Sequence, residues 1–396
     1  MKILVQKFGG TSVKDDESRA AAEKHIVQAV KDGYKVIVVV SAIGRLGDPY
    51  ATDSLLSLID GDESQLDLRE KDLLLSVGET ISATVFTNQL KKNGLPAAAL
   101  TGQDAGIITN DDFSNAKVLR VETEPIFEFF KKVDVVVVTG FQGVTETGHI
   151  TTIGRGGSDT TAALLGKAFK AERIDIFTDV SGMMTADPRL VEQAKFLEVV
   201  SYQEVSNMAH EGAKVIHPRA VELAMQATIP LRIRSTYLPV TDLGTLVTHS
   251  ELQVGHYRLV TGIAHVSNLV QFTIETTKQS PETIFSLLAN AGISVDFINI
   301  FPHQVVFTLV KHEAELAKII FSENNIAIST LEDCAKVAVV GAGITGVPGV
   351  TAKIVTSLAA EDIAILQSAD SYTTIWILVS GENLQNAVCT LHDVFL

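Results

Sequence analysis

Only two cysteines occur in 396 residues, Cys334 and Cys389, and they form no Cys-x-x-Cys pair. That argues against a disulfide framework and a thiolate metal cage, and it fits free structural thiols in a reducing cytoplasm. No apolar run approaches the roughly 20 residues of a membrane span. The N-terminus enters a strand at once, with no signal peptide, so a cytoplasmic protein is expected. Positive charge is also scarce: 32 lysines and arginines face 47 carboxylates, a net charge of -15. Such a balance argues against nucleic acid and anionic membrane surfaces as partners. The ten histidines are scattered. His210 and His217 lie closest together, but without neighbouring ligands they read as structural, and no dedicated metal site is expected.

What is present is glycine placed beside charge. Thr151 to Ala162 puts Arg155, Gly156, Gly157, Ser158 and Asp159 at the start of a helix that should run from Asp159 to Phe169. Two glycines let the backbone approach a ligand, and the free N–H groups of a first helical turn favour an anion. Arg155 can hold a carboxylate with two parallel hydrogen bonds. An ordinary glycine turn with a Ser/Asp cap is the plainer reading. A second glycine-rich loop weighs against it. Ile3 to Val5 is a short buried strand, Gly9-Gly10 a turn, and Ser18 to Val30 an amphipathic helix. Strand, glycine turn and helix cradle phosphate, and Lys7 adds a mobile positive charge. The loop is neither a Walker loop nor a Gly-x-Gly-x-x-Gly fingerprint. An acidic protein that binds anions must concentrate its positive charge locally, and Lys7, Arg155 and Lys214 are the candidates.

The length suits two or three domains. Residues 1–240 alternate strands with helices. Strands are expected at 35–41, 95–101, 134–140, 174–178 and 231–235. The valine run of 134–140 reads as a central strand buried on both faces. Helices are expected at 73–93, 124–132, 159–169 and 212–227. This pattern predicts an α/β domain with a mostly parallel sheet covered by helices, and ligands beyond the carboxyl ends of its strands. Residues 241–257 read as a polar linker. A weak internal repeat follows. Ile284–Val295 aligns with Ile354–Ile365, and Val306–Val310 with Ile375–Val379. This suits two α+β βαββαβ modules, at 265–333 and 334–396. The first closes with a strand at 327–330. The second lacks a final strand, so 258–264 is expected to cross over and complete it.

Carboxylate, ammonium and phosphate recognition together imply an amino acid and a nucleotide, and hence phosphoryl transfer. Glu79, inside a helix, could meet the ammonium or be a solvated glutamate. At this point the sequence resembles a known family. Lys7-Phe8-Gly9-Gly10-Thr11-Ser12, Thr101-Gly102-x-Asp104-Ala105-Gly106, Phe141-Gln142-Gly143, the Gly154–Thr161 loop, Thr178-Asp179-Val180, Thr185-Ala186-Asp187-Pro188-Arg189 and Gly212-Ala213-Lys214-Val215-Ile216-His217-Pro218-Arg219 match aspartate kinases of the amino-acid kinase superfamily. The C-terminal repeats resemble their paired ACT domains. The segment 45–53 and the compact length are most similar to the homodimeric, diaminopimelate-sensitive isozymes of Bacillus-type bacteria.

The resemblance implies the amino-acid kinase fold and transfer of a phosphoryl group from ATP to L-aspartate. It implies that Lys7 and Asp159 are catalytic, Lys7 at the transferring group and Asp159 organising it. Ser41, Thr52, Glu79, Arg155 and Ser158 would bind aspartate, Glu79 through the α-amino group and Arg155 through a carboxylate. Lys7, Phe8, Gly9, Gly10, Gly156, Gly157, Thr178, Asp179, Met184, Arg189 and Lys214 would line the nucleotide. Mg²⁺ would accompany ATP, held largely by phosphates and water. Two positions depart from the family pattern. Met184 stands where many members carry tyrosine, and Ser181 replaces a carboxylate in the Asp179–Gly182 turn.

Kinases of the same superfamily acting on glutamate, acetylglutamate, carbamate or UMP are the nearest rivals, and the complete 154–161 loop with paired repeats argues against them. A catalytically dead ligand sensor is a rival of another class, and the intact Lys7, Arg155, Asp159 and Lys214 argue against it. The repeats are expected to pair with those of a second subunit and to bind an amino-acid effector: diaminopimelate, lysine or threonine. Candidate contacts are Asp296, Asn299, Gly346, Val347, Gln367 and Ser368. Each could equally be an ordinary turn or strand residue.

Overall fold

The computed structural model describes residues 1–61, 64–213, 215–249, 259–277, 279–344 and 347–396. Lys214 and Gly346 lie outside the described residues. The chain divides into two compact units. The first contains Met1–Met183, Phe196–Ala209 and residues 215–249; the second contains Met184–Lys195, His210–Ala213 and the described residues from 259 to the C-terminus.

In the first unit the strands are β1 (Lys2–Phe8), β2 (Tyr34–Val40), β3 (Ala97–Leu100), β4 (Ile107–Thr109), β5 (Val118–Val121), β6 (Val135–Thr139), β7 (Gln142–Thr145), β8 (Ile150–Thr152), β9 (Arg173–Thr178), β10 (Val199–Ser201), β11 (Leu231–Ser235) and β12 (Thr245–Thr248). The helices are α1 (Asp16–Lys31), α2 (Thr52–Ser57), α3 (Leu68–Lys92), α4 (Glu124–Phe130), α5 (Gly157–Phe169), α6 (Tyr202–His210) and α7 (Pro218–Ala227). Eight strands form the main sheet in the order β10-β12-β11-β9-β1-β2-β6-β3, and β5-β4-β7-β8 form a smaller one. Within the main sheet only β11 and β12 pair antiparallel.

Sequence explains the centre of this sheet. β1 and β2 are runs of branched apolar residues, and Leu4, Phe8, Val36, Val38 and Val40 pack with Ala22 and Ile26 of α1 and with Phe86 and Leu90 of α3. The valine strand β6 is buried at all of its five positions. It is not central, as its composition suggested, but second from the edge, with β3 outside it. Helical cover, not rank in the sheet, makes it apolar. Strands β1, β2 and β9 run parallel and side by side. Their carboxyl ends therefore deliver Gly9, Ser41 and Asp179 to one edge of the sheet.

The helix expected at 212–227 begins only at Pro218. Proline suits the first helical position, and the His217 ring caps the turn by accepting from Arg219 N–H at 3.3 Å.

In the second unit the elements are β13 (Gly262–Glu275), α8 (Pro281–Asn290), β14 (Asp296–Ile300), β15 (Gln304–Val310), α9 (Lys311–Glu323), β16 (Ser329–Val340), α10 (Val350–Ala360), β17 (Gln367–Asp370), β18 (Thr374–Ser380) and α11 (Leu384–Phe395). They form one six-stranded sheet, β14-β15-β13-β16-β18-β17. The repeat is visible in burial: Ile284, Leu288 and Ile293 of one copy match Ile354, Leu358 and Ile363 of the other, all buried. Where a short strand was expected at 327–330, β16 runs on to Val340, and it pairs along its length with the long β13. Gly262–Val266 lies against Lys336–Val340, and Leu269–Thr273 against Ser329–Cys334.

Candidate active site

A cavity of about 390 Å³ opens at the carboxyl ends of β1 and β9. It is lined by Lys7, Gly9, Gly10, Arg45, Gly156, Asp159, Thr178, Asp179 and His217, among others. That volume suits a small ligand. The two glycine-rich loops thus share one wall. Lys7 Nζ sits 2.7 Å from Asp159 Oδ1, and both side chains are only 13% exposed. The second Asp159 oxygen accepts the backbone N–H of His217 at 3.1 Å. One carboxylate therefore joins β1, α5 and the segment before α7.

The glycines are required by close approach. A Cβ on Gly10 would stand 2.4 Å from the Gly44 carbonyl oxygen and 2.6 Å from that of Ala42. A Cβ on Gly156 would stand 2.1 Å from the His217 ring. Gly157 opens α5, with Asp159 in its first turn, so the amides of that turn face the same region as Lys7.

Of the expected nucleotide residues, Thr178 and Asp179 line the cavity, and Thr178 Oγ1 donates to Asp179 at 3.2 Å. Phe8 does not line it. Its ring is fully buried and stacks on Phe177 at 4.6 Å, which leaves the backbone of Phe8 on the side of the loop. Met184 and Arg189 belong to the second unit. There Arg189 is committed to Asp187, with Nη2 to Oδ2 at 2.6 Å, and this partner holds the Asp187 carboxyl below its usual range.

The expected aspartate residues lie outside the cavity lining. Ser41 follows β2, and its N–H donates to the Phe8 carbonyl at 3.2 Å. Thr52 opens α2. Ser158 is nearly buried in the first turn of α5. Arg155 is exposed and forms no ion pair among the described residues. Glu79 is 2% exposed on α3. Its Oε1 accepts Ala42 N–H at 3.0 Å, while Oε2 has no partner. Burial pushes its carboxyl up to about 8. A desolvated carboxylate with a vacant oxygen favours an ammonium partner, which would restore its charge.

Two ionisable residues of the lining were not read as functional from sequence. Arg45 reaches across to Asp179, with Nη2 to Oδ2 at 2.8 Å. His217, read as structural, lines the cavity. Its ring packs against Gly156, far away in sequence, so no local spacing signals its place at the cavity.

In the second unit three expected effector contacts are engaged. Gln367 Nε2 donates to Asn299 Oδ1 at 2.7 Å and to the Phe297 carbonyl, and its Oε1 accepts from Gln271 at 2.8 Å. Asp296 pairs with Lys336, which also meets Glu211 at 2.9 Å and is itself 4% exposed. Ser368 follows Gln367 in β17, and Val347 is exposed ahead of α10.

The amino acid kinase family model matches residues 2–235, and an ACT domain model matches 329–393. Aspartokinase 1 of Bacillus subtilis is 57% identical over 402 residues, covering 100% of this chain and 99% of that protein. The crystal structure of E. coli aspartokinase III in complex with aspartate and ADP, described as an R-state, is 26% identical with a TM-score of 0.80, covering 99% of each chain. The same enzyme in complex with lysine and aspartate, described as a T-state, is 26% identical with a TM-score of 0.77, covering 100% of this chain and 99% of that one.

Proposed function

Because this chain belongs to the amino acid kinase family and, within it, to the aspartokinases, we propose a division of labour for its site residues. The reaction is transfer of the γ-phosphoryl of ATP to the side-chain carboxylate of L-aspartate, giving ADP and 4-phospho-L-aspartate. The acceptor has an ordinary pKa near 4 and is already ionised at neutral pH. No general base is needed. A carboxylate oxygen attacks phosphorus, the bond to the bridging oxygen of ADP breaks, and the negative charge passes to ADP. The protein's task is to align two anions and to screen their repulsion.

The Lys7–Asp159 pair carries this reading. Lys7 meets the transferring group, and Asp159 holds the ammonium at the wall where the two glycine loops meet. Gly9, Gly10, Gly156 and Gly157 allow close backbone approach, and Thr178 and Asp179 take the nucleotide side. Lys214 is assigned there too, on the resemblance alone. Glu79 takes the α-ammonium of aspartate and Arg155 a carboxylate, with Ser41, Thr52 and Ser158 completing that side. A Mg²⁺ ion would accompany ATP, carried mainly by phosphates and water; Asp179, paired with Arg45, is the carboxylate of the cavity lining on that side. Bound in that way, the ion would screen phosphate charge.

The second unit is the regulatory part, through which the enzyme is feedback-inhibited. The repeats would pair with those of a second subunit. β14 is an edge strand exposing Ile298, Ile300 and the following Phe301, and such an edge needs a cover. A lysine-, threonine- or diaminopimelate-class amino acid would bind there through Asp296, Asn299, Gln367, Ser368, Val347 and Gly346, and the enzyme would open the pathways to those products in the cytoplasm. No described helix is long and apolar enough to cross a membrane.

Arg155→Lys tests the substrate side, since it keeps charge but loses the planar fork. The Michaelis constant for aspartate should rise while that for ATP changes little. The opposite pattern would move Arg155 to the nucleotide side.

A further inference from the structure

Asp72 is fully buried, yet no cation pairs with it among the described residues. Four neutral donors hold it instead. Its Oδ2 accepts the backbone N–H groups of Ser114 at 2.9 Å and Thr152 at 2.8 Å. Its Oδ1 accepts the hydroxyls of the same two residues, at 3.0 and 2.7 Å. Burying a carboxylate is costly unless such bonds replace its water, so the arrangement calls for a reason.

The geometry offers one. Asp72 and Glu79 stand on the same face of α3, two turns or about 10 Å apart. Asp72 secures Thr152, the last residue of β8, three positions before Arg155. It also secures Ser114, a non-glycine residue with φ of 67°. The Ser114–Asn115 turn in turn packs on Gly154, where a Cβ would meet Asn115 Oδ1 at 3.2 Å and the Ser114 carbonyl oxygen at 3.6 Å. Ala116 N–H closes the unit by donating to the Thr152 carbonyl at 2.9 Å. Arg155 itself lies between Gly154 and Gly156, both with positive φ. A residue between two such glycines has little conformational restraint of its own. Its position is set by what holds the base of the loop.

We infer that Asp72 is a positioning residue for substrate recognition, holding the Arg155 loop at a set distance from Glu79 on the same helix and so selecting an amino acid of aspartate's length. This rests on the reading of Arg155 and Glu79 as the two ends of the aspartate site. An amide at position 72 keeps the shape of the side chain but turns an NH₂ group towards two donors.

The test is steady-state kinetics of full-length Asp72→Asn, Thr152→Val and Arg155→Lys, with both substrates varied and with L-glutamate as competing acceptor. Asp72→Asn should raise the Michaelis constant for aspartate about 10- to 100-fold, the size expected of a misplacement near 1 Å. That for ATP should stay within about two-fold, and the preference for aspartate over glutamate in kcat/KM should shrink. Thr152→Val, which removes one donor and little volume, should shift the same constants in the same direction by a smaller factor. It decides the matter if Asp72→Asn does not fold. A fall in kcat with both Michaelis constants unchanged in the folded variants would show a merely structural role and overturn the inference. If Arg155→Lys raises the aspartate constant and the other two variants do not, only the inference about Asp72 fails. If Arg155→Lys leaves it unchanged, the reading of the site fails and takes the inference with it.

Discussion

Glu79 carries the clearest pH signature in the molecule. Burial raises its carboxyl from 4.5 to about 8 in the ligand-free protein. Below that value it is neutral and a poor partner for an ammonium. The Michaelis constant for aspartate should therefore fall as pH rises from about 6 towards 8, and Glu79→Gln should abolish that trend. The stability effect has the opposite sign. An unfolded glutamate ionises near 4.5 while the folded one stays protonated to about 8. Its contribution is thus fully present below pH 4.5 and is lost as pH rises through 8. Glu79→Gln should gain stability relative to the parent across that window, as read by thermal melts at pH 5 and pH 8.5. An equal melting difference at both pH values would contradict the burial of this group. The glycine loops were legible at this scale because glycine beside charge is a local signal. Asp72 was not, because its partners Ser114 and Thr152 are 42 and 80 residues away. What the sequence does show is an acid on a helix face that it shares with Leu75, Ser76, Glu79, Ala83, Phe86 and Leu90, all buried. An acidic residue in register with a buried stripe is the trace to look for.

At the scale of elements, alternation of strand and helix was readable from hydrophobic period, and strand order was not. A run of valines reports burial on both faces, which β6 has, but not its rank in the sheet. The repeat was legible for a similar reason: each copy buries the same three apolar positions. The continuity of β16 across the two copies was not, because polar residues such as Glu332 and Asp333 interrupt its pattern. Two predictions belong here. The turn after β1 packs its Gly10 against two backbone carbonyls, which cannot yield as a side chain can. Gly10→Ala should distort the phosphate wall, costing about 1–3 kcal/mol of stability with a marked loss of turnover; a variant with parental stability and rate would contradict this packing. In the second unit, Leu391 of α11 is fully buried with Val388, Val337 and Ile377, and with Ala186 and Val191 of the 184–195 segment. Leu391→Ala should cost about 2–5 kcal/mol in denaturant unfolding.

For the whole molecule, the net charge of -15 sets the problem that the fold solves. Two anions must meet in an acidic protein. The sheet answers by bringing Lys7 and the first turn of α5 to one cavity wall. The C-terminal third adds a separate sheet in which Gln271, Asn299 and Gln367 are already linked by hydrogen bonds. An amino acid that competes for these groups would change the regulatory unit, with a coupling of about 1–3 kcal/mol to activity. Millimolar diaminopimelate, lysine or threonine, alone or in pairs, should lower the rate of the full-length enzyme; no response to any of them would contradict the effector assignment. The most direct test of the central claim is to trap the product. Hydroxylamine displaces phosphate from an acyl phosphate to give a hydroxamate, which added Fe³⁺ turns into a coloured complex, so the full chain with Mg²⁺, ATP and L-aspartate should give aspartyl hydroxamate in step with ADP. Lys7→Ala should reduce that rate on the order of 10²–10³-fold through lost charge stabilisation. Near-parental hydroxamate formation by Lys7→Ala, or ADP release without hydroxamate in the parent, would contradict the account.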